Sequence, residues 1–271
     1  MTILIVFIIL YLLMILPNLS RKDRMKSFEN VYIAHRGFFN NVDIPENSLS
    51  AFKKAVENNY GIELDVQMTK DEKLVVFHDE SLKRICGVDK KLTDCDLDEL
   101  LSYNLLNTNE KIPLLKDVLD VLDKDTPLIV EIKPEGECIK TCEKTIELLK
   151  TYDRNYTMES FNPLVVGYLR KYHKEIIRGQ LAYNMLKDKE EKSNILRKFN
   201  CTYLLENFLT KPDYIAYDIN NMNNLSFRII SKLYKGECVA WTIKSNEQLK
   251  QSRKYYQQFI FDSFIPSKKG N

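Results

Sequence analysis

Short runs rich in β-branched and aromatic residues recur along the chain, and this feature restricts its fold more than any other. Each run has the length of a buried strand, and turn or helical patterns separate the runs. The nine predicted strands are Val31–His35, Gly61–Gln67, Leu74–His78, Leu128–Ile132, Tyr156–Phe161, Ile176–Leu181, Tyr214–Ile219, Cys238–Ile243 and Phe259–Asp262. The intervening helical patterns, such as Ser48–Asn58, Lys140–Lys150 and Asn162–Tyr172, indicate repeated strand–helix units.

The second and third runs are too close together to be parallel neighbours. Only the six residues Met68–Lys73 separate them, whereas a parallel crossover needs about a dozen. They are therefore predicted to form an antiparallel hairpin, and a turn centred between Lys70 and Asp71 would place Glu63 opposite His78. The remaining eight strands predict an α/β domain with the (β/α)8, or TIM, barrel fold.

The ends of several predicted strands carry residues of three chemical kinds. They are two imidazoles, three carboxylates and two cations: His35, His78, Glu63, Asp65, Glu131, Arg36 and Lys133. Imidazoles exchange protons near neutral pH, carboxylates hold hard cations, and Arg and Lys bind phosphate. Since active sites of barrels lie at the C-terminal ends of the strands, the set predicts phosphodiester chemistry at a metal.

The carboxylates favour a metal over ion pairs alone. Glu63 and Asp65 point to the same side of their strand, because one residue separates them. Without a cation they would repel each other and raise each other's pKa. A salt bridge to Arg36 or Lys133 would relieve this, but Glu131 offers a third oxygen ligand. An all-carboxylate set selects one divalent cation, Mg²⁺ or Ca²⁺, over zinc and does not decide between the two.

The same residues belong to an ordered series of motifs that resembles the glycerophosphodiester phosphodiesterase family, within the phospholipase-C-like barrel superfamily. The series covers nearly all of residues 31–266 and is strongest up to Pro134. Its motifs are Ala34-His-Arg-Gly37, Pro45-Glu-Asn-Ser48, Ile62-Glu-Leu-Asp-Val66, Thr69-Lys-Asp71, Val75-Val-Phe-His-Asp79, Glu131-Ile-Lys-Pro134, Glu159-Ser-Phe161 and Trp241-Thr242.

Two segments depart from the pattern of that family. The family usually reads Trp-Thr-Val-Asn where this chain has Trp241-Thr-Ile-Lys244. Its final Thr-Asp-x-Pro is present only as Phe261-Asp262-Ser-Phe-Ile-Pro266. Both segments lie at the family's substrate-facing rim, so the departures concern the leaving alcohol more than the chemistry.

The resemblance and the residue chemistry together predict catalytic roles. His35 and His78 are predicted as general acid and general base, without deciding which is which. Arg36 and Lys133 are expected to neutralise phosphate oxygens as charge develops. The third histidine, His173, lies in a charged helical pattern and is expected to face solvent.

Two further residues are assigned supporting roles. Glu46 is predicted to orient His35 or Arg36. Trp241 lies in the region that the family uses to contact the glycerol side of the substrate, which predicts a substrate contact. Core packing explains this tryptophan equally well.

The resemblance implies metal-dependent hydrolysis of glycerophosphodiesters to sn-glycerol 3-phosphate and an alcohol. A second interpretation is a membrane-tethered lysophospholipase D that acts on lysolipids. It is supported by the N-terminal anchor predicted below and by the apolar rim residues Phe38, Phe39, Phe264 and Ile265. A third is an inactive module that binds or senses phosphodiesters, against which the intact histidines and carboxylates argue. The expected partner is a small glycerophosphodiester or a lysolipid, and the oligomeric state stays open.

The N-terminal segment is predicted to be a transmembrane helix. Residues 1–20 carry no charge and are nearly all apolar. No basic segment precedes them and no small-residue cleavage site follows, which favours a retained anchor over a signal peptide. Four basic residues come next, so the positive-inside rule predicts a single-pass cell-membrane protein with a cytoplasmic catalytic domain; they are Arg21, Lys22, Arg24 and Lys26.

The predicted organisation is an anchor over 1–20, a basic linker over 21–30, the barrel over 31–266 and a tail over 267–271. Between His78 and Asp125 the strand–helix alternation lapses for longer than a simple loop. Residues of about 80–125 are therefore predicted to form a small insertion over the barrel mouth, with helices at Asp94–Leu101 and Leu115–Leu122. A net charge of +2, from 40 basic and 38 acidic residues, argues against nucleic acid as a partner.

Overall fold

The computed structural model describes residues 1–267, apart from the side chains of Lys22 and Asp23. Within these residues nine strands form one sheet, and each coincides within two residues with a predicted run. They are β1 (Tyr32–His35), β2 (Gly61–Met68), β3 (Leu74–Val76), β4 (Leu128–Ile132), β5 (Tyr156–Ser160), β6 (Ile177–Ala182), β7 (Tyr214–Asp218), β8 (Glu237–Ile243) and β9 (Gln258–Phe261). All except β3 pair in parallel, and β1 pairs with both β2 and β9, which closes the barrel. The predicted (β/α)8 fold is confirmed.

Helices surround the barrel in the described part of the chain. The α-helices are α1 (Thr2–Ile15), α2 (Leu49–Glu57), α3 (Lys83–Cys86), α4 (Leu97–Ser102), α5 (Leu115–Val121), α6 (Cys138–Leu149), α7 (Pro163–Tyr172), α8 (Ile195–Thr202), α9 (Asn207–Thr210), α10 (Leu225–Arg228) and α11 (Asn246–Ser252). Side-chain caps fix several starts: Ser48 accepts a hydrogen bond from the Ala51 amide, and Asn162 accepts one from the Leu164 amide. Short 3₁₀ helices span Lys22–Phe28, Leu92–Asp94 and Ile219–Asn221, and a π-helical turn spans Ile229–Leu233.

The alternation of side chains along the strands separates the barrel interior from the layer beneath the helices. Ile33, Ile129, Val239 and Ile260 pack together inside, whereas Ala34 and its counterparts on the other strands pack against the surrounding helices. Two residues farther along the same interior face, the strands carry His35, Glu131, Trp241 and Asp262. The period of two therefore places polar residues directly above the apolar interior.

A glycine on β6 makes room for a tyrosine inside the barrel. A Cβ on Gly179 would lie 2.3 Å from ring atoms of Tyr214. The ring is fully buried and its hydroxyl bonds Thr157 at 3.0 Å, so it cannot swing aside. We expect Gly179→Ala to lower the free energy of unfolding in urea by about 1–3 kcal/mol. The control is Gly167→Ala on α7, where a Cβ would meet nothing within 4 Å; equal losses in both variants would contradict the steric explanation.

The predicted hairpin forms between β2 and β3, but its register differs by one residue from the expected one. Val66 pairs with Val76 and Met68 with Leu74, so the expected pairing of Glu63 with His78 is wrong. The reason lies in the turn, where the Thr69 amide donates to the Lys73 carbonyl at 2.9 Å and Glu72 adopts φ +63°. Because Glu72 is in the left-handed region, the loop between Thr69 and Lys73 contains three residues instead of two.

The segment after β3 packs as a unit with its own apolar cluster. The cluster contains Val75, Phe77, Leu82, Ile85, Leu92, Cys95, Leu100, Leu105 and Ile112. The two helices predicted for this region are present as α4 and α5, and α5 packs against α2 and β3. The proposed insertion limits of about 80–125 stay a prediction, as do the other domain boundaries.

The N-terminal helix is shorter than the sequence pattern suggested. Helix α1 has 14 residues, or about 21 Å at 1.5 Å per residue, whereas the hydrocarbon core of a bilayer is about 30 Å thick. It ends before Leu16, which is extended (φ −65°, ψ 116°) because Pro17 follows it. Among the described residues, no helix has the length and apolar character needed to cross a membrane. The predicted transmembrane helix over 1–20, and the single-pass membrane topology built on it, are therefore wrong.

The C-terminal half of α1 lies against the barrel. Ile15 is fully buried, its carbonyl accepts a hydrogen bond from Asn207 at 2.8 Å, and the Tyr11 hydroxyl lies 2.7 Å from the Ser226 hydroxyl. In the predicted linker, Met25 and Phe28 join the interior apolar cluster and close the base of the barrel. Beyond Ser267, the predicted tail lies outside the described residues.

Candidate active site

A polar pocket opens at the C-terminal ends of the strands. It has a volume of about 430 Å³ and adjoins a second cavity of about 880 Å³. Most of the predicted site residues line the first cavity: His35, Arg36, Glu46, Glu63, His78, Glu131 and Trp241. Lys133 lines the second, and Asp65 is buried between Arg36 and Lys133. The fold thus brings all nine predicted site residues to one end of the barrel.

The three predicted metal ligands form a compact buried cluster. Glu63, Asp65 and Glu131 each offer an oxygen, and these atoms all lie within 4.8 Å of one another. Burial, together with the charges of Asp65 and Glu131, raises the pKa of Glu63 well above its usual range. Burial raises the pKa of Glu131 to about 7, against the opposing effect of Lys133. Although burial opposes it, Lys133 and His78 hold the pKa of Asp65 far below its usual range.

Two cations contact this cluster. Lys133 Nζ lies 3.0 Å from Glu131 Oε1 and 3.4 Å from Asp65 Oδ1. Arg36 Nε lies 3.5 Å from Asp65 Oδ2, and the Arg36 amide donates to Glu63 Oε2 at 3.1 Å. The ion pairs that the sequence left open as an alternative to a metal are therefore present in the structure.

The carboxyls at this cluster outnumber the two cations. Glu159, 1% exposed on β5, adds a fourth carboxyl, and burial and the charges of Glu131 and Asp65 raise its pKa to about 8. Asp65 Oδ1 and Glu131 Oε1 are buried and share the single ammonium group of Lys133. Converging carboxylate oxygens are the donors that a hard divalent cation prefers. The residues present therefore fit a divalent metal ion.

His35 is held by a carboxylate from the last strand. Its Nδ1 lies 3.0 Å from Asp262 Oδ2. An ionised carboxylate can only accept, so Nδ1 carries the proton and the lone pair is on Nε2. Burial and the charge of Arg36 lower the pKa of His35 to about 4, against the effect of Asp262. The imidazole is therefore neutral at pH 7 and can accept a proton at Nε2.

His78 has a similar carboxylate partner. Its Nδ1 lies 2.6 Å from Asp79 Oδ1, and Arg84 of α3 donates from Nε to Asp79 Oδ2 at 2.7 Å. Burial lowers the pKa of His78, and Asp65 opposes the shift. Each of the two imidazoles thus has a carboxylate at Nδ1. Neither Nε2 makes a hydrogen bond within the described residues, and that of His35 lies 4.0 Å from Glu63 Oε2.

Glu46 joins the β1–α2 loop to the insertion. It accepts from Arg36 Nη1 at 2.6 Å and from Arg84 Nη1 and Nη2 at 2.8 and 2.7 Å. Although burial opposes the shift, Arg84 and Arg36 lower the pKa of Glu46 to about 2. Arg36 is one of the two residues that Glu46 was predicted to orient.

Sequence reasoning assigned no role to several residues that contact the site. They are Asn47, Asp79, Arg84, Glu159 and Asp262. Asn47 donates to Asp65 Oδ2 at 2.8 Å. Asp79 was detectable, since it follows His78 directly, and Asp262 ends the last predicted strand as His35 ends the first. The sequence around Arg84 does not indicate that it contacts Asp79 and Glu46, because its helix, α3, has only four residues and no clear periodicity.

Trp241 packs against other aromatic rings and also lines the pocket, so its contact with substrate stays a prediction. Its ring packs edge-to-face against Phe161, with centroids 5.6 Å apart, and lies 6.3 Å from the ring of Tyr183. It also lines both cavities, and its Nε1 has no hydrogen-bond partner among the described residues. A substrate group could therefore meet both an aromatic face and a free donor here.

Comparison with known proteins places this geometry in a family. Residues 35–263 match the sequence model of the glycerophosphoryl diester phosphodiesterase family. The lysophospholipase D GDPD1 of Homo sapiens is 33% identical over 159 residues, which cover 54% of this chain and 49% of that protein. A glycerophosphodiester phosphodiesterase of Caldanaerobacter subterraneus is 37% identical over 145 residues, covering 49% and 59%. The matches thus span about half the length of these curated relatives.

Solved structures support the same fold. A glycerophosphodiester phosphodiesterase from Thermotoga maritima superposes with a TM-score of 0.65 at 26% identity, covering 86% of this chain and 95% of that one. A phosphodiesterase from Oleispira antarctica, solved with the product sn-glycerol-3-phosphate, superposes with a TM-score of 0.68 at 22% identity, covering 88% and 94%. The second likeness shows the fold alone.

Proposed function

Because this chain belongs to the glycerophosphoryl diester phosphodiesterase family, we propose that it hydrolyses glycerophosphodiesters to sn-glycerol 3-phosphate and an alcohol. One observation supports this most: two imidazoles, each with a carboxylate at Nδ1, stand at the same open pocket as three clustered carboxylates. Two proton carriers beside a carboxylate cluster suit the acid–base and metal-assisted cleavage of a phosphodiester.

One divalent cation, Mg²⁺ or Ca²⁺, is part of the proposal. Glu63, Asp65 and Glu131 would hold it, because their oxygens converge within 4.8 Å and two of them share one ammonium group, that of Lys133. When bound, the ion would supply Lewis-acid stabilisation of negative charge on the phosphate and orientation of the glycerol hydroxyls. The carboxylate set excludes neither of the two ions.

The proton transfers are assigned to the histidines as a pair. One imidazole takes the proton from the glycerol hydroxyl that attacks phosphorus, and the other gives a proton to the departing alcohol oxygen. The attack displaces the alcohol and forms a cyclic phosphate of glycerol. Water then opens this cyclic phosphate, and the two imidazoles exchange their roles as acid and base. Arg36 and Lys133 neutralise the phosphate oxygens. Direct attack by water would use the same residues.

Lysolipids are the alternative substrate. The cavity of about 880 Å³ beside the site is lined in part by Phe161, Tyr183, Met185 and Trp241, which could take an apolar group. A relative that is 33% identical over 159 residues is named a lysophospholipase D. The leaving alcohol would be the same and the glycerol would carry an acyl chain.

A substrate panel tests the proposal. Purified protein with Mg²⁺ or Ca²⁺ would receive glycerophosphocholine, glycerophosphoethanolamine or lysophosphatidylcholine, and released alcohol and sn-glycerol 3-phosphate would be measured. We expect turnover of the glycerophosphodiesters. Turnover of lysophosphatidylcholine alone would favour the lysophospholipase D interpretation. Release of no alcohol from any substrate would favour the inactive binding module.

Arg84 is expected to act on the reaction through the residues it holds. Replacing it with alanine removes the four hydrogen bonds that fix Asp79 and Glu46, and with them the positions of His78 and Arg36. We expect kcat/KM to fall by about 10- to 100-fold, the usual effect of small misplacements of catalytic groups. Lys83→Ala is the matched control, since Lys83 pairs only with exposed Asp89 at 3.4 Å. Equal activity in the two variants would remove this role of Arg84.

A further inference from the structure

A second charged pocket lies at the base of the barrel, away from the candidate active site. It is an open cavity of about 580 Å³, called the basal pocket below. Six cationic residues line it, and none of its described lining residues is acidic; the cations are Arg21, Arg24, Arg170, Lys174, Arg178 and Lys211. Arg178 lies at the start of β6 and Lys211 precedes β7. The pocket is thus at the N-terminal ends of these strands, opposite to the catalytic end.

Asp213 is the buried carboxylate that pairs with this group of cations, and the charge of Glu175 also acts on Arg21. Asp213, 2% exposed, lies 3.4 Å from Arg21 Nη1 and 3.6 Å from Arg178 Nη1 through its Oδ2. Burial lowers the pKa of Arg178, and the charges of Arg21 and Arg170 lower it further, while Asp213 raises it. The cations therefore repel one another across the pocket.

Most of the cations donate to backbone carbonyls. Arg170 Nη1 donates to the Leu209 carbonyl at 2.7 Å, Arg178 Nη2 to the Lys211 carbonyl at 2.7 Å, and Lys211 Nζ to the Leu16 carbonyl at 2.8 Å. A neutral carbonyl orients a cation but does not cancel its charge. These bonds hold the side chains in place around the pocket and leave their positive charge available.

Two buried guanidinium nitrogens at the pocket make no hydrogen bond. Arg178 is 4% exposed, and its Nη1 has no hydrogen-bond partner among the described residues, with Asp213 Oδ2 at 3.6 Å. Arg21 Nε likewise has no hydrogen-bond partner among these residues. Burying a guanidinium N–H without an acceptor costs free energy. An anion bound in the pocket would offset this cost, because the surrounding cations attract it.

From this arrangement we propose that the basal pocket binds a phosphate group. Four of the six cations are arginines, whose planar forks match the oxygens of phosphate. The pocket is compact, unlike the extended basic track that nucleic acids require, and the whole chain carries a net charge of only +2. The phosphate group comes either from a small molecule in water or from a lipid headgroup, which present the same chemistry.

Amide chemical shifts of the ¹⁵N-labelled full chain, titrated with inorganic phosphate at ionic strength held with NaCl, test the proposal. We expect the amide chemical shifts of residues 170–178 and 209–213 to change until the site is saturated. These changes can be followed separately from any changes at residues 35–37 and 131–133 in the catalytic pocket. In the double variant Arg24→Gln/Lys174→Gln, whose two side chains are exposed, affinity at the basal pocket should fall about tenfold. Shifts at the catalytic pocket, and hydrolysis, should not change.

The control variant Lys53→Gln/Lys250→Gln makes the same change in net charge at exposed positions away from the pocket. It should bind phosphate as the unchanged chain does. Sedimentation with vesicles of phosphatidylcholine, with or without about 20 mol% phosphatidic acid, separates the two sources of phosphate. If the chain binds phosphatidic acid more strongly than inorganic phosphate, and the pocket variant weakens that binding, the phosphate group comes from a lipid. The reverse result indicates a small molecule. If the pocket variant binds both probes as well as the control does, the proposal is overturned.

Discussion

Replacing His78 with alanine is expected to lower kcat/KM for glycerophosphocholine by about 10²- to 10⁴-fold, the usual contribution of one acid or base group. The imidazole lines the catalytic pocket, and Asp79 holds its Nδ1 at 2.6 Å. Its side chain is about a third exposed, so truncation opens no sealed cavity and should leave the fold intact. Circular dichroism and the urea midpoint would establish this before rates are compared.

The same test at His35 requires a substitution that keeps a hydrogen bond to Asp262. It is buried more deeply and is bonded to Asp262, so alanine would leave that carboxylate without its imidazole partner. Glutamine retains a donor for Asp262 but cannot exchange protons at neutral pH. We expect His35→Gln to lose turnover to a similar degree as His78→Ala, with both effects mainly in kcat.

The third histidine provides the matched control. His173 directly follows α7, its Nδ1 lies 3.4 Å from Glu175, and it lines neither cavity of the site. His173→Ala should turn over substrate as the unchanged protein does. If a folded His78→Ala or His35→Gln variant keeps rates close to those of His173→Ala, the acid–base assignment is wrong.

The barrel and most of the site could be predicted because both follow from local patterns. Strand runs are visible in windows of four to eight residues, and nine of them were found at nearly their observed bounds. The placement of Glu63 beside Asp65 follows from the two-residue period of a strand. The meeting of Glu131 with that pair follows from barrel topology, since β2 and β4 pair with Asp65 opposite Glu131.

Features that depend on distant partners or on one backbone angle could not be predicted. Asp262 and His35 are 227 positions apart, so no local window joins them. The hairpin register turned on the positive φ of Glu72, a residue that seldom adopts it. The apolar composition of the N-terminal segment predicted a membrane span, but Pro17 ends the helix after 14 residues.

Removing divalent ions is expected to abolish turnover, with a fall in kcat/KM of at least about 10²-fold, because Lewis-acid stabilisation contributes several kcal/mol. The charge balance gives the reason. Among the described residues, the permanent cations that contact Glu63, Asp65 and Glu131 are Lys133 and Arg36, and Glu159 lies beside the cluster. Dialysis against a chelator, followed by titration with Mg²⁺ or Ca²⁺ in parallel, measures the loss and identifies the ion that restores more activity.

Thermal stability gives a readout that does not depend on catalysis. A divalent ion at about 100 times its Kd should stabilise the folded protein by about 2.7 kcal/mol, raising Tm by several degrees for a chain of this size. We expect Glu63→Gln to need a higher ion concentration for both Tm and turnover, because it removes one charged ligand from the cluster.

Glu147→Gln is the control for the metal experiment, since Glu147 is exposed on α6 and outside the site. It should show the same ion dependence as the unchanged protein. If neither Tm nor the turnover rate changes with the chelator or with added ions, Lys133 and Arg36 alone balance the charge of the carboxylates. The proposed metal site would then be wrong, and the cluster would act only as the electrostatic partner of the two cations.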